Sequence, residues 1–416
     1  MESPRILLTD TDRRSATARL AINLAKAGCE LSMVSTSEHP ALKTHVIQQV
    51  FSYSGLRPLN ALRKAIEKYK PALIIPCDDR AVQHLHELHA VACNQGTSGD
   101  SIVEVIERSL GAPQSYATVS SRYDLLTAMR EEGVAVPETS ILKTKEDLRA
   151  WQRKQEFPWV LKADGTWGGR GVRMANSMEE AERFFLELSR PFKLKRAIKR
   201  LVVNRDPFWI APWWHGIGSS VIIQAYIQGR AAHCAAFCWK GKVLAGISVE
   251  VVSSEGQTGP ASVVRVIEKP EMMMCAEKIA RRFGISGFFG LDFMIEHESQ
   301  AAYLIEMNPR CIPLSHLQLG KGRDLISALW AQLTGRSAPE TVPITGNDLI
   351  AYFPQAWICK SEFLESSFHD VPIEQPELIQ ELLTPWPGRS LLFRMLNSIY
   401  RLSEKSSPKS NAKIMA

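Results

Sequence analysis

The apolar positions of the first third of the chain fall into short blocks separated by longer amphipathic runs. Arg5–Leu8 reads as a strand, and the spacing from about Ser15 to Ala27 predicts a helix that stops at Gly28. Leu31–Val34 is a second strand. Leu59–Lys70 is a helix closed by Pro71, and Ala72–Pro76 is a buried strand running into Cys77-Asp78-Asp79, with a further helix from about Arg80. Strands alternating with helices at this period predict a parallel sheet with covering helices.

The middle of the chain changes pattern. Ser121–Gly133 is helical, and Val134-Ala135-Val136-Pro137 marks a turn into a second lobe. In PWVLKADGTWGGRGV (158–172) an apolar strand, Trp159–Leu161, ends on Lys162 and is followed by Gly165, Gly168, Gly169 and Gly171. Val221–Ile227 is a strand ending at Gly229, a hairpin is expected around Lys240-Gly241-Lys242, and a helix from about Glu271 to Phe283. Two neighbouring strands, Gly287–Glu296 and Ala302–Arg310, deliver acids at Asp292 and Glu306. These breaks predict an N-terminal lobe over 1–115, a second lobe over 116–335 with a basic and aromatic insertion at about 190–218, and a C-terminal extension over 336–416 with a basic amphipathic helix and a disordered tail.

The second lobe carries the chemistry. A glycine-rich loop lets backbone N–H groups approach anionic oxygens, and Lys162 just before it can meet phosphate as a point charge. The loop lacks G-K-[ST], so it is not a Walker A cradle, and the first strand is not followed by G-x-G-x-x-G. The N-terminal lobe therefore has a Rossmann-like build without that fold's phosphate loop. Glu306 and Asn308 are two apart on a strand and share a face, and with Asp292 they make an oxygen-donor set suited to Mg²⁺ beside phosphates. Arg310 lies near that face if the strand persists past Pro309. Any one of these acids alone reads as an ordinary salt-bridge partner; the set, with Lys162 and the loop, reads as a site.

PWVLKADGTWGGRGV, VIIQAYIQG, GFFGLDFMIE and above all YLIEMNPR resemble, in this order, the ATP-grasp ligase superfamily, and the last motif is similar to that of the carbamoyl-phosphate synthetase large subunit. The resemblance covers about 121–322. It implies an ATP-grasp fold of mixed α/β and α+β content, preceded by a pre-ATP-grasp domain. It also implies ATP as co-substrate, with two Mg²⁺ ions (or Mn²⁺) held by Asp292, Glu306 and Asn308. Lys162 would bind the α- and β-phosphates, Gly168, Gly169 and Gly171 would belong to the lid, and Gln224, Ala225, Tyr226 and Ile227 would form the hinge that reads adenine. Arg310 would face the transferred phosphoryl group or the acyl intermediate. Arg122 stands where the family commonly has a lysine near the nucleotide, which keeps charge and changes geometry. The implied reaction joins a small-molecule carboxylate to an amine, or to a thiol, through an acylphosphate. The alternatives are a nucleotide-binding module that docks on a membrane or acidic partner, and a phosphotransferase. Ala225 and Ala231 stand where many members place acids. Arg265 is the nearest basic substrate candidate, and an ordinary surface arginine is as good a reading of it.

Composition narrows the setting. With 45% hydrophobic and 23% charged residues the chain is not broadly disordered. No apolar run approaches a membrane span, and the run Ile6-Leu7-Leu8 is too short for a secretory leader. Eight cysteines with no C-x-x-C pair fit a reducing compartment, so a cytosolic location is expected. The net charge is +6, yet Arg190–Arg205 holds seven basic residues and no acid, and the stretch from Arg389 to the end is +5. Together these exceed the total by six, so the remainder is net −6 and the basic character is local. That pattern speaks against general nucleic-acid binding. Leu194, Ile198, Leu201 and Val202, with Trp209, Trp213 and Trp214 nearby, and the later stripe Leu392, Met395, Leu396 and Ile399, suit a peripheral contact with an anionic membrane. Packing of both helices onto the body of the protein is the preferred reading of each alone. His84, His86 and His89 read as a solvated helix face rather than a metal site, and Cys234 and Cys238 as small buried residues.

Overall fold

The computed structural model describes residues 3–96, 99–163, 171–190, 220–256, 259–338 and 342–384. The first lobe is a parallel sheet of β1 (Arg5–Asp10), β2 (Glu30–Ser35), β3 (Gln49–Ser52) and β4 (Leu73–Pro76) in the order β3-β2-β1-β4. Its helices are α1 (Ser15–Lys26), α2 (Pro58–Tyr69), α3 (Asp79–Cys93) and α4 (Asp100–Leu110). β1, β2 and β4 are buried on both faces, as a parallel sheet with helical cover requires, while the edge strand β3 buries only Phe51. α3 starts where the Asp78 side chain accepts from the Ala81 amide, an N-cap set by the acid doublet after β4.

A small antiparallel sheet follows, made of β5 (Thr139–Leu142), β6 (Trp159–Ala163), β7 (Val172–Ala175) and β8 (Val221–Ala225) in the order β5-β8-β6-β7. One face packs on the helices Lys145–Gln152 and Met178–Ser189 through Trp159, Leu161, Val221 and Ile223. Trp159 is fully buried and stacks on Phe157 with ring centroids 3.9 Å apart, so it anchors β6; burial of such a side chain contributes about 1.5–3 kcal/mol. Alternation along the strand then sends Val160 and Lys162 to the opposite face.

The third sheet holds β9 (Gly229–Trp239), β10 (Lys242–Ser254), β11 (Ala261–Val266), β12 (Gly287–Glu296), β13 (Ala302–Asn308), β14 (Leu349–Tyr352) and β15 (Phe368–Asp370) in the order β13-β12-β9-β10-β11-β14-β15. One face shares a core with the parallel lobe, joining Ile6, Leu20 and Leu24 to Phe237, Ile247 and Phe288. The other packs on the helices Pro270–Phe283 and Arg122–Glu131. β12 starts at Gly287, whose φ is +85° and where a Cβ would lie 2.3 Å from the Ser109 carbonyl at the end of α4, so only glycine lets the strand dock there.

Four expectations need correction. The strand expected over Val221–Ile227 ends at Ala225, and the one expected to reach Arg310 ends at Asn308, because Pro309 cannot donate to the ladder. β14 pairs onto β11 and β15 onto β14, so the expected boundary after 335 does not coincide with an edge of the sheet. His84 and His89 are buried rather than solvated: His84 Nε2 lies 3.1 Å from the Tyr53 hydroxyl and His89 Nε2 lies 2.8 Å from Glu107, while His86 stacks on Tyr116. Cys234 and Cys238 are buried, as read. The basic insertion and the C-terminal basic stripe lie outside the described residues.

Candidate active site

A cavity of about 2270 Å³ opens between the small sheet and the seven-stranded one. The two sheets are joined by Tyr226–Gln228, the link from β8 to β9. Gln224, Ala225, Tyr226 and Ile227 all line the cavity. Gln224 is buried, with its Nε2 on Thr139 Oγ1 at 3.2 Å, whereas Tyr226 is exposed. From the opposite wall come Asp292, Glu306 and Asn308.

The acids are placed by hairpin register. Asp292 on β12 faces Glu306 on β13, and Gly290 faces Asn308. A bulge after Asp292 inserts Ile305 as an extra residue, so Ile305 and Glu306 both reach the cavity. On the other side of β12, Asp292 faces His233 of β9, whose Nδ1 is 2.7 Å from Asp292 Oδ1. Asn308 Nδ2 donates to Asp292 Oδ2 at 3.2 Å. Burial works against the Asp292 charge, but His233, then Arg310 and the Asn308 amide, outweigh it and hold the carboxyl below its ordinary value. Burial likewise opposes charge on His233, and the Asp292 carboxylate overcomes it and holds the imidazole above its usual range.

Lys162 and Arg122 bring positive charge to the same space. Arg122, the first residue of its helix, donates from Nη2 to Glu306 Oε1 at 2.6 Å. Lys162 is 5% exposed. Burial first, and the Arg122 guanidinium second, push its ammonium down to about 7, and Glu306 and Asp292 only partly offset them. A buried lysine held beside acids but bonded to none of them can meet an anion.

Arg310 ties the two lobes together. Its Nη2 donates to Asn308 Oδ1 at 2.8 Å and its Nε to Asp79 Oδ1 at 2.8 Å, while Arg14 Nη2 lies 3.3 Å from Asp79 Oδ2. Burial opposes the Asp79 charge, and the two guanidiniums keep its carboxyl below its ordinary value. Arg310 thus reaches the site although its strand has ended.

The donor set fits a magnesium ion. Two carboxylates paired in register and an amide oxygen are hard ligands, and Mg²⁺ keeps several waters and phosphate oxygens in its shell, so it needs few protein ligands. No group of three or more His, Cys, Asp or Glu side chains forms a metal cage among the described residues. Of the loop glycines only Gly171 is described, and it lines the cavity; Gly168 and Gly169 lie outside the described residues. Arg265 is not among the lining residues and pairs with Glu250 at 2.7 Å.

Residues 119–312 match the family profile of the ATP-grasp domain. The ATP-grasp likeness is that of residues 119–312. The chain is 26% identical over 261 residues to the arginine-specific large chain of carbamoyl phosphate synthase from Geobacillus stearothermophilus, covering 61% of this chain and 22% of that protein. The chain spans less than half the length of the curated relatives it matches. Among solved structures, the biotin carboxylase domain of Hydrogenobacter thermophilus 2-oxoglutarate carboxylase, in complex with MgADP, ADP and bicarbonate, superimposes with a TM-score of 0.59 at 16% identity, over 82% of this chain and 72% of that one. N5-carboxyaminoimidazole synthetase from Staphylococcus aureus, complexed with ADP, gives 0.55 at 14% identity over 82% and 80%. These structural likenesses are of fold.

Sequence reasoning missed several residues of the ATP-grasp cavity. His233 follows from cross-strand register with Asp292, which is known only once β9 is seen beside β12. Met294 and Ile305 line the cavity as apolar neighbours of the acids; Met294 follows from alternation with Asp292, but Ile305 depends on the bulge. Asp79 and Arg14 come from the other lobe, and the acid doublet after β4 was their one local sign.

Proposed function

We propose that this protein is an ATP- and Mg²⁺-dependent ligase that joins a small-molecule carboxylate to an amine, or to another nucleophile such as a thiol, through an acylphosphate. The observation that carries this reading is the convergence on one cavity of the register-paired acids of the β12–β13 hairpin, the buried Lys162, and Arg310. The parallel-sheet lobe, up to about residue 115, is read as the pre-ATP-grasp domain, a role its position ahead of residue 119 supports.

In this reading ATP lies between the two sheets with adenine at Gln224–Ile227. Lys162 meets the phosphates, and the glycine loop closes over them. Asp292, Glu306 and Asn308 would hold Mg²⁺, two ions in the full complement and replaceable by Mn²⁺, which neutralises phosphate charge. The substrate carboxylate attacks the γ-phosphorus; the bond from that phosphorus to the β–γ bridging oxygen breaks, and ADP leaves. The nucleophile then attacks the acyl carbon and phosphate departs. Arg310, braced by Asp79, faces the transferred phosphoryl group. The protein's contribution is positioning and charge neutralisation, with water excluded from a hydrolysable intermediate.

The test is ADP release from ATP and Mg²⁺ with pooled carboxylates and hydroxylamine. A ligase gives a hydroxamate, because hydroxylamine captures the acylphosphate. ADP formation without hydroxamate would point to phosphoryl transfer to another acceptor, and no ADP at all would remove the catalytic reading.

A further inference from the structure

The cavity continues past Arg310, between the first turn of α1 and the end of the large sheet, where Arg13, Ser15, Arg19, His316, Tyr352 and Asp370 line it. The chain of contacts from Asn308 through Arg310 and Asp79 to Arg14, just ahead of α1, joins this arm to the phosphoryl site. His316 is 3% exposed. Its Nε2 lies 2.7 Å from Asp370 Oδ2, its backbone oxygen accepts from Asn23 Nδ2 at 2.7 Å, and Asp370 is also gripped by Arg19. Its other ring nitrogen, Nδ1, is buried and has no hydrogen-bond partner among the described residues.

This arrangement fixes a tautomer. Burial opposes the Asp370 charge, but His316 and Arg19 outweigh it and keep the carboxyl below its ordinary value, so Asp370 is an acceptor. Nε2 therefore carries the proton that Asp370 accepts, and Nδ1 is the ring nitrogen left without a partner among the described residues. A buried ring nitrogen with no hydrogen-bond partner has no structural return, and calls for a reason. The ring is held at Nε2, the residue is held at its backbone oxygen, and His316 lines the cavity that leads to the phosphoryl site.

We propose that His316 is the proton acceptor for the incoming amine in the second half-reaction, with Asp370 and Arg19 as positioning residues. This rests on the ligase reading. The ammonium form of the amine gives one proton to His316 Nδ1. Its freed lone pair forms the C–N bond with the acyl carbon, and the C–O bond to phosphate breaks with its electron pair on phosphate. The second N–H proton leaves with the phosphate as hydrogen phosphate, and His316 returns its proton to solvent.

The test uses the full chain with His316→Gln, which keeps an N–H for Asp370 and removes the base. ADP formation with ATP, Mg²⁺ and pooled carboxylates is compared between two nucleophiles, a pool of the common amino acids and hydroxylamine, which is largely unprotonated at neutral pH and needs no base. The expected result is a fall of about 100-fold or more in amino-acid-dependent turnover, the range for a lost general base, with hydroxamate formation retained. Retained hydroxamate formation also shows that the variant is folded. Equal losses in both arms would make His316 structural, and no loss in either would remove it from the reaction; both overturn the proposal. Wild-type turnover with hydroxylamine but not with amino acids would overturn the premise of an amine acceptor, while absence of hydroxamate from the wild type would overturn the ligase reading itself.

Discussion

Two sets of acids stand on or just after strands in this molecule, and they differ in exposure. On the β12–β13 hairpin, the Asp292 and Glu306 side chains keep 33% and 29% of their exposure and face a cavity. At the ends of β1 and β4, Asp10 and Asp78 are buried and their oxygens are consumed by the protein: Asp10 takes His39 and Thr17, and Asp78 takes Thr11 and the α3 N-terminus. Burial and the neighbouring Asp10 charge push the Asp78 carboxyl up, while His39 overcomes burial and keeps Asp10 low. Asp10 and Asp78 are sealed inside and hold a loop; Asp292 and Glu306 also have protein partners, in His233, Asn308 and Arg122, but they stand at a cavity wall where a ligand can reach them.

The largest effect that would break this contrast is on turnover. Glu306→Ala or Asn308→Ala should lower ADP formation by about 100- to 1000-fold, because a metal site supplies several kcal/mol and each 1.4 kcal/mol is tenfold in rate. Asp10→Ala should behave inversely: it strands a buried histidine, and removing one partner of a buried pair costs about 3–5 kcal/mol. Urea unfolding would read that loss, with ATP binding by the folded fraction preserved.

Lys162 sharpens the comparison through pH. Its folded value is about 7 against an ordinary 10.5, so between these the unfolded chain binds the extra proton, and stability without nucleotide should rise as pH climbs from 7 toward 10. A bound phosphate favours the charged lysine, so ATP binding at pH 8 should take up a proton and weaken as pH rises further. Calorimetry in two buffers of different ionisation enthalpy measures that uptake, and Lys162→Met should abolish it. The smallest effect is expected at Arg265, a half-exposed ion pair away from the cavity. Arg265→Ala should cost no more than about 1 kcal/mol and leave turnover unchanged.

The hairpin site was legible because its information is local. Glu306 and Asn308 are two apart on one strand, and the loop that precedes β13 is short enough to set their register against Asp292. The parallel lobe was legible in part for a similar reason, since β1, β3 and β4 are each followed by a covering helix, whereas β3 itself, reached from β2 through one short turn, was not read. What stayed hidden is long-range: Arg122 meets Glu306 across 184 positions and Arg310 meets Asp79 across 231. Short strands such as β5, β7 and β15 carry too few residues for a period to show. His84 and His89 misled because histidine is polar in sequence yet packs well once a Tyr53 or a Glu107 from elsewhere satisfies its nitrogens.

The central claim is that the cavity between the two sheets takes a nucleotide triphosphate together with magnesium. Equilibrium titration of the full chain with labelled ATP, with and without Mg²⁺, tests it most directly. Saturable binding that needs Mg²⁺ in the wild type, loses that dependence in Glu306→Ala and disappears in Lys162→Met is the predicted result. Absence of saturable binding, or binding indifferent to Mg²⁺ and to both substitutions, would contradict it.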